Sequence, residues 1–470
     1  MLAGVTDARV GELLAEVGAR GPADEDEVTI VGRDPVLGNR FPVGEAAAVA
    51  LAAGGVAVSN LWELKTGRRQ QVRVEVRHAA LTQRAPLVMR LDGGPPPPGP
   101  ADGNPVVALY RCRDGRWVHL HGAFPHLAAG TLELLGCSRE RGEIAAAVAR
   151  WDGQALEDAL AERRMCGAMA RTWDEWSAHP QGQALASLPR VEVSKIGASE
   201  PEPLPAGPRP LSGVRVLDLT RILAGPTHAR TLAQYGADVL YITSPKLPNA
   251  QVWTMDTNQG KLSAFLDLDQ ASDMQRLVGL VRDADVFAQG FRAGSLERRG
   301  LGPAELAELR PGLIYVSINC YGHVGPWRER PGWEQLAQTV AGLAAAQGTP
   351  ERPERMPAAA CDYTTGYLAA LGTLVALERR AREGGSYLVR ASLTQSGMWF
   401  ARLGATCDPA QATGPGDASD LLVDTPTAWG RLTHLKPAVQ LSETPPFWER
   451  PPVPLGTHAA AWPATRPASA

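Results

Sequence analysis

The chain has 470 residues, with 47 Lys and Arg against 50 Asp and Glu and a formal net charge of −3. At ~150 residues per domain that length predicts about three domains with room for a large core, and the balanced charge excludes the basic footprint of a nucleic-acid binder. Hydrophobic residues make up 44% and charged residues 21%, an ordinary globular composition. Six cysteines (Cys112, Cys137, Cys166, Cys320, Cys361 and Cys407) contain no C-x-x-C pair. Reduced thiols are therefore expected, not a zinc site or a disulfide framework. Met1–Arg20 lacks the basic start and apolar stretch of a signal peptide. The most apolar run, Ala46–Leu61, is shorter than the ~20 strongly apolar residues of a membrane span. A soluble, cytoplasmic protein without membrane or nucleic-acid partners is expected.

In chain order, residues 1–90 hold Arg40-Phe-Pro42, an Ala/Val run, Glu63 and the strand-like Val72-Arg-Val-Glu-Val76. A proline-rich linker follows at 91–105, because Pro fits neither helix interiors nor central strands. Residues 106–200 read as a small α+β domain. Val106–Gly122 is a hairpin around Asp114-Gly115, Leu127–Leu135 and Ala155–Arg164 are helical, and Thr172-Trp-Asp-Glu175 fits a capping box. A second proline-rich linker occupies 201–211. Over 212–400 strands and helices alternate. Strands are expected at Val214–Leu219, Ala237–Thr243, Gly260–Leu268, Asp285–Ala288 and Leu313–Ile318, and helices at Pro226–Tyr235, Ala271–Arg282 and Leu368–Leu377. Such alternation predicts an α/β fold with an open, doubly wound parallel sheet. Residues 401–470 read as an extended C-terminal segment, lying on a surface or disordered.

The front series returns in the second half as Arg355-Met-Pro357, an Ala/Leu run, Glu378 and Val389–Leu393. The spacing from Arg to Glu is 63−40 = 23 and 378−355 = 23. This predicts a duplication, with 1–90 a degenerate copy of a segment of the large domain. Ungapped alignment sets Ala47 opposite Asp362, with Glu45 two residues away, so the front copy reads as catalytically empty.

No P-loop, strand-linked G-x-G-x-x-G, H-E-x-x-H or G-x-S-x-G is present. His119 and His121 share a strand face without a third ligand, which fits core or surface filling better than a metal. Three segments of the second half stand out. Asp218–Pro226 brings a polar loop and a helix start to the carboxyl edge of a strand, where open α/β sheets bind ligands. Gly290–Arg298 is a turn with two cations after another strand, or else a solvated loop. Ala358–Gly366 sets Asp362 before an apolar helix. There it is either an N-cap or, kept ionised by the positive helix end, a nucleophile.

These residues carry a resemblance. Leu211–Pro226 (LSGVRVLDLTRILAGP), YGADVLYI, NQGKLSAFLDL, GSLERRGLGP, the stretch from Pro311 to Gln338 and DYTTGYLAALGTLVALERR resemble the family III CoA transferases in order and spacing. RDGRWVHL and TWDEWSAHPQGQAL resemble that family's small domain, here placed N-terminal to the catalytic part, and Pro454–His458 its closing segment. The resemblance implies a Rossmann-like large domain, two interlocked chains and transfer of CoA from an acyl-CoA to a carboxylic acid. It also implies no tightly bound cofactor, with coenzyme A as substrate and product. Asp362 would be the nucleophile, passing through an aspartyl anhydride and an aspartyl-CoA thioester. Arg221, Ile222, Ala224, Lys261, Phe291 and Arg298 match positions lining the family's CoA site. Leu262 and Gly290 stand where the family usually has Arg and Asn. Gly332-Trp333-Glu334 stands where the racemase relatives carry a G-H-D stretch, which disfavours racemisation. The rival readings are a 2-methylacyl-CoA racemase or isomerase and a non-catalytic CoA-binding or partner subunit.

Overall fold

In the computed structural model the described residues are 8–414 and 416–463, so the first residues of Met1–Arg20 and the last of the C-terminal segment lie outside them. Helix α1 (Ala8–Glu16) lays Val10, Leu13 and Leu14 into the core. Strand β1 (Val28–Val31), the 24-residue helix α2 (Val43–Thr66) and strand β2 (Val72–Glu75) follow, β1 and β2 running parallel. Helix α3 (Val76–Thr82) starts directly on the end of β2. α2 is apolar around its whole circumference, which suits a core helix, and it is buried from Val43 to Trp62. It runs beyond the apolar stretch Ala46–Leu61 at both ends and is long and apolar enough to cross a membrane; here it is wrapped by the rest of the protein.

Strands β3 (Val107–Arg111) and β4 (Trp117–His121) form the expected hairpin, and β5 (Gly167–Met169) adds to it antiparallel. Thr172 caps the next helix with both reciprocal bonds of a capping box to Glu175. β6 (Val191–Gly197) then leaves this unit and becomes the antiparallel edge of the large sheet.

That sheet has seven strands. β7 (Arg215–Leu219) is followed by helix α4 (Ala224–Ala233), β8 (Asp238–Thr243) and β9 (Lys261–Phe265). Helix α5 (Ala271–Arg282), β10 (Val286–Gln289), helix α6 (Pro303–Leu309) and β11 (Ile314–Asn319) come next. Helix α7 (Glu334–Val340), the 24-residue helix α8 (Ala360–Glu383), β12 (Ser386–Ser392) and helix α9 (Leu393–Leu403) complete the run. The strand order is β9-β8-β7-β10-β11-β12-β6, and only β6 runs against the others. The even-numbered residues Val216, Val286 and Val316 face one core shared with α2, α4 and α8, while Leu217, Phe287 and Tyr315 face a second core under α5 and α6.

The C-terminal segment holds more regular structure than expected, with an antiparallel hairpin of Leu422–Thr427 and Gly430–Leu435, and it is anchored. β13 (Val439–Leu441) pairs antiparallel with β2. Further on, Gly260 N–H donates to the Arg450 carbonyl (2.9 Å) and His458 N–H to the Ser263 carbonyl (2.7 Å). Ser263 N–H in turn donates to His458 Nδ1 (3.1 Å), so the chain end covers the otherwise open edge at β9.

Candidate active site

The chain leaves β7 for β8 and β9 on one side and returns to β10 on the other. That reversal opens a crevice between the carboxyl ends of β7 and β10, the usual ligand position in an open α/β sheet. The loops after those strands are the segments Asp218–Pro226 and Gly290–Arg298 singled out in the sequence. Ile222 lies in the first with φ +73°, a left-handed conformation that is strained for a β-branched residue. The turn into α4 is tight enough that a Cβ on Gly225 would stand 2.2 Å from the Thr220 Cβ. Ala224 is buried at the start of α4.

α8 delivers Asp362 to this loop. A Cβ on Gly366 would meet the Ala224 carbonyl at 2.6 Å, and farther along the Thr373 hydroxyl meets His228 at 2.9 Å, so α8 and α4 run side by side in the same sense. Asp362, one turn before Gly366 on the same face, therefore stands beside the loop preceding Ala224. α8 begins at Ala360, eight residues before the expected Leu368, because the run after Pro357 is alanine and propagates helix readily. Asp362 is thus the third helical residue and not an N-cap; Ala359 holds that position.

Burial works against the expectation that the helix end keeps Asp362 ionised. Its side chain is 6% exposed, and burial first, then the negative charge of Glu334, hold the carboxyl well above its ordinary range. A helix end contributes ~0.3–2 kcal/mol, less than the several kcal/mol that desolvation of a carboxylate costs. No described residue donates a hydrogen bond to the Asp362 carboxylate, so its lone pairs are free for attack. Glu334, the first residue of α7, accepts from Gln338 Nε2 (2.7 Å) and from Cys361 N–H (3.3 Å) and is pushed up to about 7 by burial. The pair can hold one proton next to one carboxylate near neutral pH, the condition for acid–base assistance of an acyl transfer. Burial drives the neighbouring Cys361 thiol well above its ordinary value, which removes it as a rival nucleophile. Glu334 escaped the sequence reading as a functional group, although it stands first in an apolar helix where acids gather.

The expected CoA-lining residues divide. Arg221 lies between the halves: it donates to the Pro248 carbonyl and its guanidinium sits 5.8 Å over the Phe124 ring. Phe291 lines a cavity of about 170 Å³ at the sheet edge with Leu219, Ile242 and Leu296. Lys261 does not reach that cavity; its ammonium is fully buried against Asp218 (2.8 Å) and the Pro226 carbonyl (2.9 Å). Its site is a structural ion pair under the loop, which also explains why β9 starts there. Arg298 and Arg299 are both exposed, and it is Arg299 that lines the cavity. Lys246 supplies the other cation, the two being paired at 2.6 Å with Asp269 and Asp267 respectively. Lys246 follows the end of β8, a position the carboxyl-edge rule could have marked.

The fold and this site can be set beside known proteins. The CoA-transferase family III model matches residues 28–203 and 211–419. The chain belongs to CoA-transferase family III. Its relatives include the acetyl-coenzyme A transferase nodX of Hypoxylon pulicicidum, 34% identical over 64% of this chain and 55% of that protein. An acyl-CoA transferase of Gibberella moniliformis is 33% identical over 70% of this chain and 65% of that one. The β subunit of the succinyl-CoA–L-malate CoA-transferase of Chloroflexus aurantiacus is 33% identical over 40% of this chain and 50% of its own length. The chain thus spans about half to two thirds of the curated relatives it matches.

This family III chain also carries an aromatic wall at the site. Phe124 from the small unit lies 5.3 Å from the Trp333 ring and 6.4 Å from Trp253, and the two indoles are 6.5 Å apart. Trp333 immediately precedes Glu334, and His121 stacks on its far side at 4.4 Å. His119 and His121 are buried in this packing, and burial lowers both; no group of three or more His, Cys, Asp or Glu suited to a metal occurs among the described residues.

Proposed function

We propose that this chain transfers coenzyme A between an acyl-CoA and a carboxylic acid, with Asp362 as the nucleophile. The observation that carries the reading is a buried carboxylate without hydrogen bonds, set beside a second carboxyl and the switch-point loop. In the ionised form, Asp362 attacks the thioester carbonyl, the C–S bond breaks, and an aspartyl-acyl anhydride and CoA thiolate result. The thiolate attacks the aspartyl carbonyl, releasing the first acid as its carboxylate and leaving an aspartyl-CoA thioester. An acceptor carboxylate repeats the sequence in reverse, regenerating Asp362 and a new acyl-CoA. Each displacement exchanges good leaving groups, which divides one hard transfer into easier ones. In the state with Asp362 ionised and the pair's proton on Glu334, that carboxyl would stabilise the oxyanion of the attacked carbonyl.

The cavity lined by Phe291, with Lys246 and Arg299 at its rim, fits the nucleotide end of CoA, whose phosphates suit Lys and Arg. The aromatic wall of Phe124, Trp253 and Trp333 favours an apolar acyl group. The test is to add hydroxylamine with octanoyl-CoA, acetyl-CoA or succinyl-CoA and to map the modified peptide. A hydroxamate on Asp362, absent from the Asp362→Asn protein, is the expected result. Consumption of thioester without modification at Asp362 would overturn the mechanism, and exchange of the C2 hydrogen in the absence of any acceptor acid would favour the racemase reading instead.

A further inference from the structure

The front copy lacks a nucleophile, yet it touches the nucleophile helix at a telling place. Gln83 follows α3 at the end of the front unit and is completely buried. Its carbonyl accepts the Ala359 N–H at 2.9 Å, and its Oε1 accepts the Thr364 hydroxyl at 3.1 Å. Its Nε2 donates to the Thr82 hydroxyl (3.1 Å), which donates to the Ala79 carbonyl (2.7 Å), so the amide is locked and its oxygen has a fixed direction. Ala359 and Thr364 bracket Asp362 in sequence. On the other side, Gln338 Nε2 donates to the Ala358 carbonyl and Gln338 Oε1 accepts the Met356 N–H, both at 2.9 Å. The approach to Asp362 is therefore held between two glutamines, one from its own half of the chain and one from a segment 281 residues away.

We infer that Gln83 is a positioning residue for Asp362, and that the front copy persists as the half of the cradle its own half of the chain does not supply. The inference rests on the reading of Asp362 as nucleophile. Among the described residues none hydrogen-bonds the Asp362 side chain, so its direction of attack is set by the helix turn that carries it, and that turn is fixed through Ala359 and Thr364. A displacement of ~1 Å in a reacting group can cost ~100-fold in rate. A second front contact serves as the comparison: Arg20 bridges Glu63 and Glu378 at 2.8 Å each, at the opposite end of α8. Glu378 is ~24 Å along the helix from Asp362 at 1.5 Å per residue, too far to steer its carboxylate.

The experiment uses the whole chain with the three acyl-CoA probes and measures kcat, KM and the rate of hydroxamate formation at Asp362. Thr364→Val, which is isosteric, and Gln83→Leu should each lower kcat and the trapping rate about tenfold with KM within twofold. The double variant should lose no more than either single one, because both remove the same bond. Thr364→Ser should recover most of the loss, and Arg20→Ala should leave kcat unchanged. Full kcat in both Thr364→Val and Gln83→Leu, with Asp362→Asn inactive, would overturn the positioning role and leave the proposed function standing. Turnover by Asp362→Asn would overturn both. Should Gln83→Leu fail to fold, the Val and Ser variants at Thr364 decide the matter alone.

Discussion

Helices α2 and α8 are the same length, each precedes a strand that runs parallel to an earlier one, and each of those strands passes straight into another helix. Their opening turns differ completely. In α2, Ala46 and Ala47 are fully buried, and Gly44 is so enclosed that a Cβ would stand 2.9 Å from both Ala80 and Asp34. Glu45 is turned to structural use, pairing with Arg9 (3.1 Å) and accepting the Asp34 N–H (3.2 Å). α8 instead carries Asp362, Tyr363, Thr364 and Thr365 in its first two turns and buries a carboxylate to which no described residue donates a hydrogen bond. α2 fills its opening with small apolar side chains, whereas α8 keeps a polar opening with a desolvated carboxylate, which on the proposed reading trades stability for chemistry.

The largest effect should come from erasing that difference. Asp362→Ala gives α8 the residue α2 carries, and transfer should fall roughly a thousandfold or more, as when a covalent nucleophile is removed. The same change removes a desolvated carboxylate and should raise unfolding free energy by about 1–2 kcal/mol in urea titrations at pH 8. An inactive but less stable protein would refute the trade between site and scaffold. The converse substitution, Ala47→Asp, places a carboxylate in a fully buried position. It should destabilise by roughly 3–5 kcal/mol and create no second site. A stable Ala47→Asp protein that traps hydroxylamine at residue 47 would show that the front copy is dormant and not sealed.

Glu334 sharpens the comparison through pH. Its folded-state value is about 7 against an ordinary 4.5, so the folded protein binds this proton more tightly than the unfolded chain does. Its contribution to stability is complete below about pH 4.5, shrinks as pH rises, and is gone above about pH 7, a change of about 3 kcal/mol. Glu334→Gln should abolish that part of the slope and be the more stable protein at pH 8. An unchanged slope would mean that the pair does not hold the shared proton. Because Asp362 is also held above the ordinary carboxylate range, turnover should reach its plateau at a higher pH than an ordinary carboxylate would set.

Much of this was legible in the sequence for reasons that are local. Strand–turn–helix alternation, the Asp114-Gly115 hairpin and the Thr172 capping box depend on neighbours a few residues apart, and each formed where expected. The loops after β7 and β10 were marked by strand ends alone. What sequence reasoning lost depends on contacts over long separations. Lys261 reads only as a position matching the family's CoA site, and nothing near it in sequence shows that Asp218, 43 residues away, takes up its charge. Arg298 and Arg299 are neighbours in sequence, and only the pitch of a short turn decides which one faces the cavity. The state of Asp362 turned on burial and on Glu334, neither visible in the run Ala358–Gly366. Gln83 gave no signal at all, since its partners lie in the other copy.

The smallest effect tests how the two copies are joined. Arg20 touches both Glu63 of α2 and Glu378 of α8, the two glutamates that the sequence spacing sets in register, and so ties the two helices together near their C-terminal ends. The junction nonetheless carries little energy. Arg20 is 43% exposed, and without it Glu63 keeps Arg69 (3.2 Å) and Glu378 keeps Arg382 (3.1 Å). Arg20→Ala should therefore cost only about 0.5 kcal/mol, less at high salt, and leave turnover unaltered. A loss above ~2 kcal/mol would exceed the range of exposed pairs and place the strength of the copy-to-copy contact in this charge cluster. The expected small loss places it in the apolar faces of α2 and α8, where small buried side chains let the two helices approach.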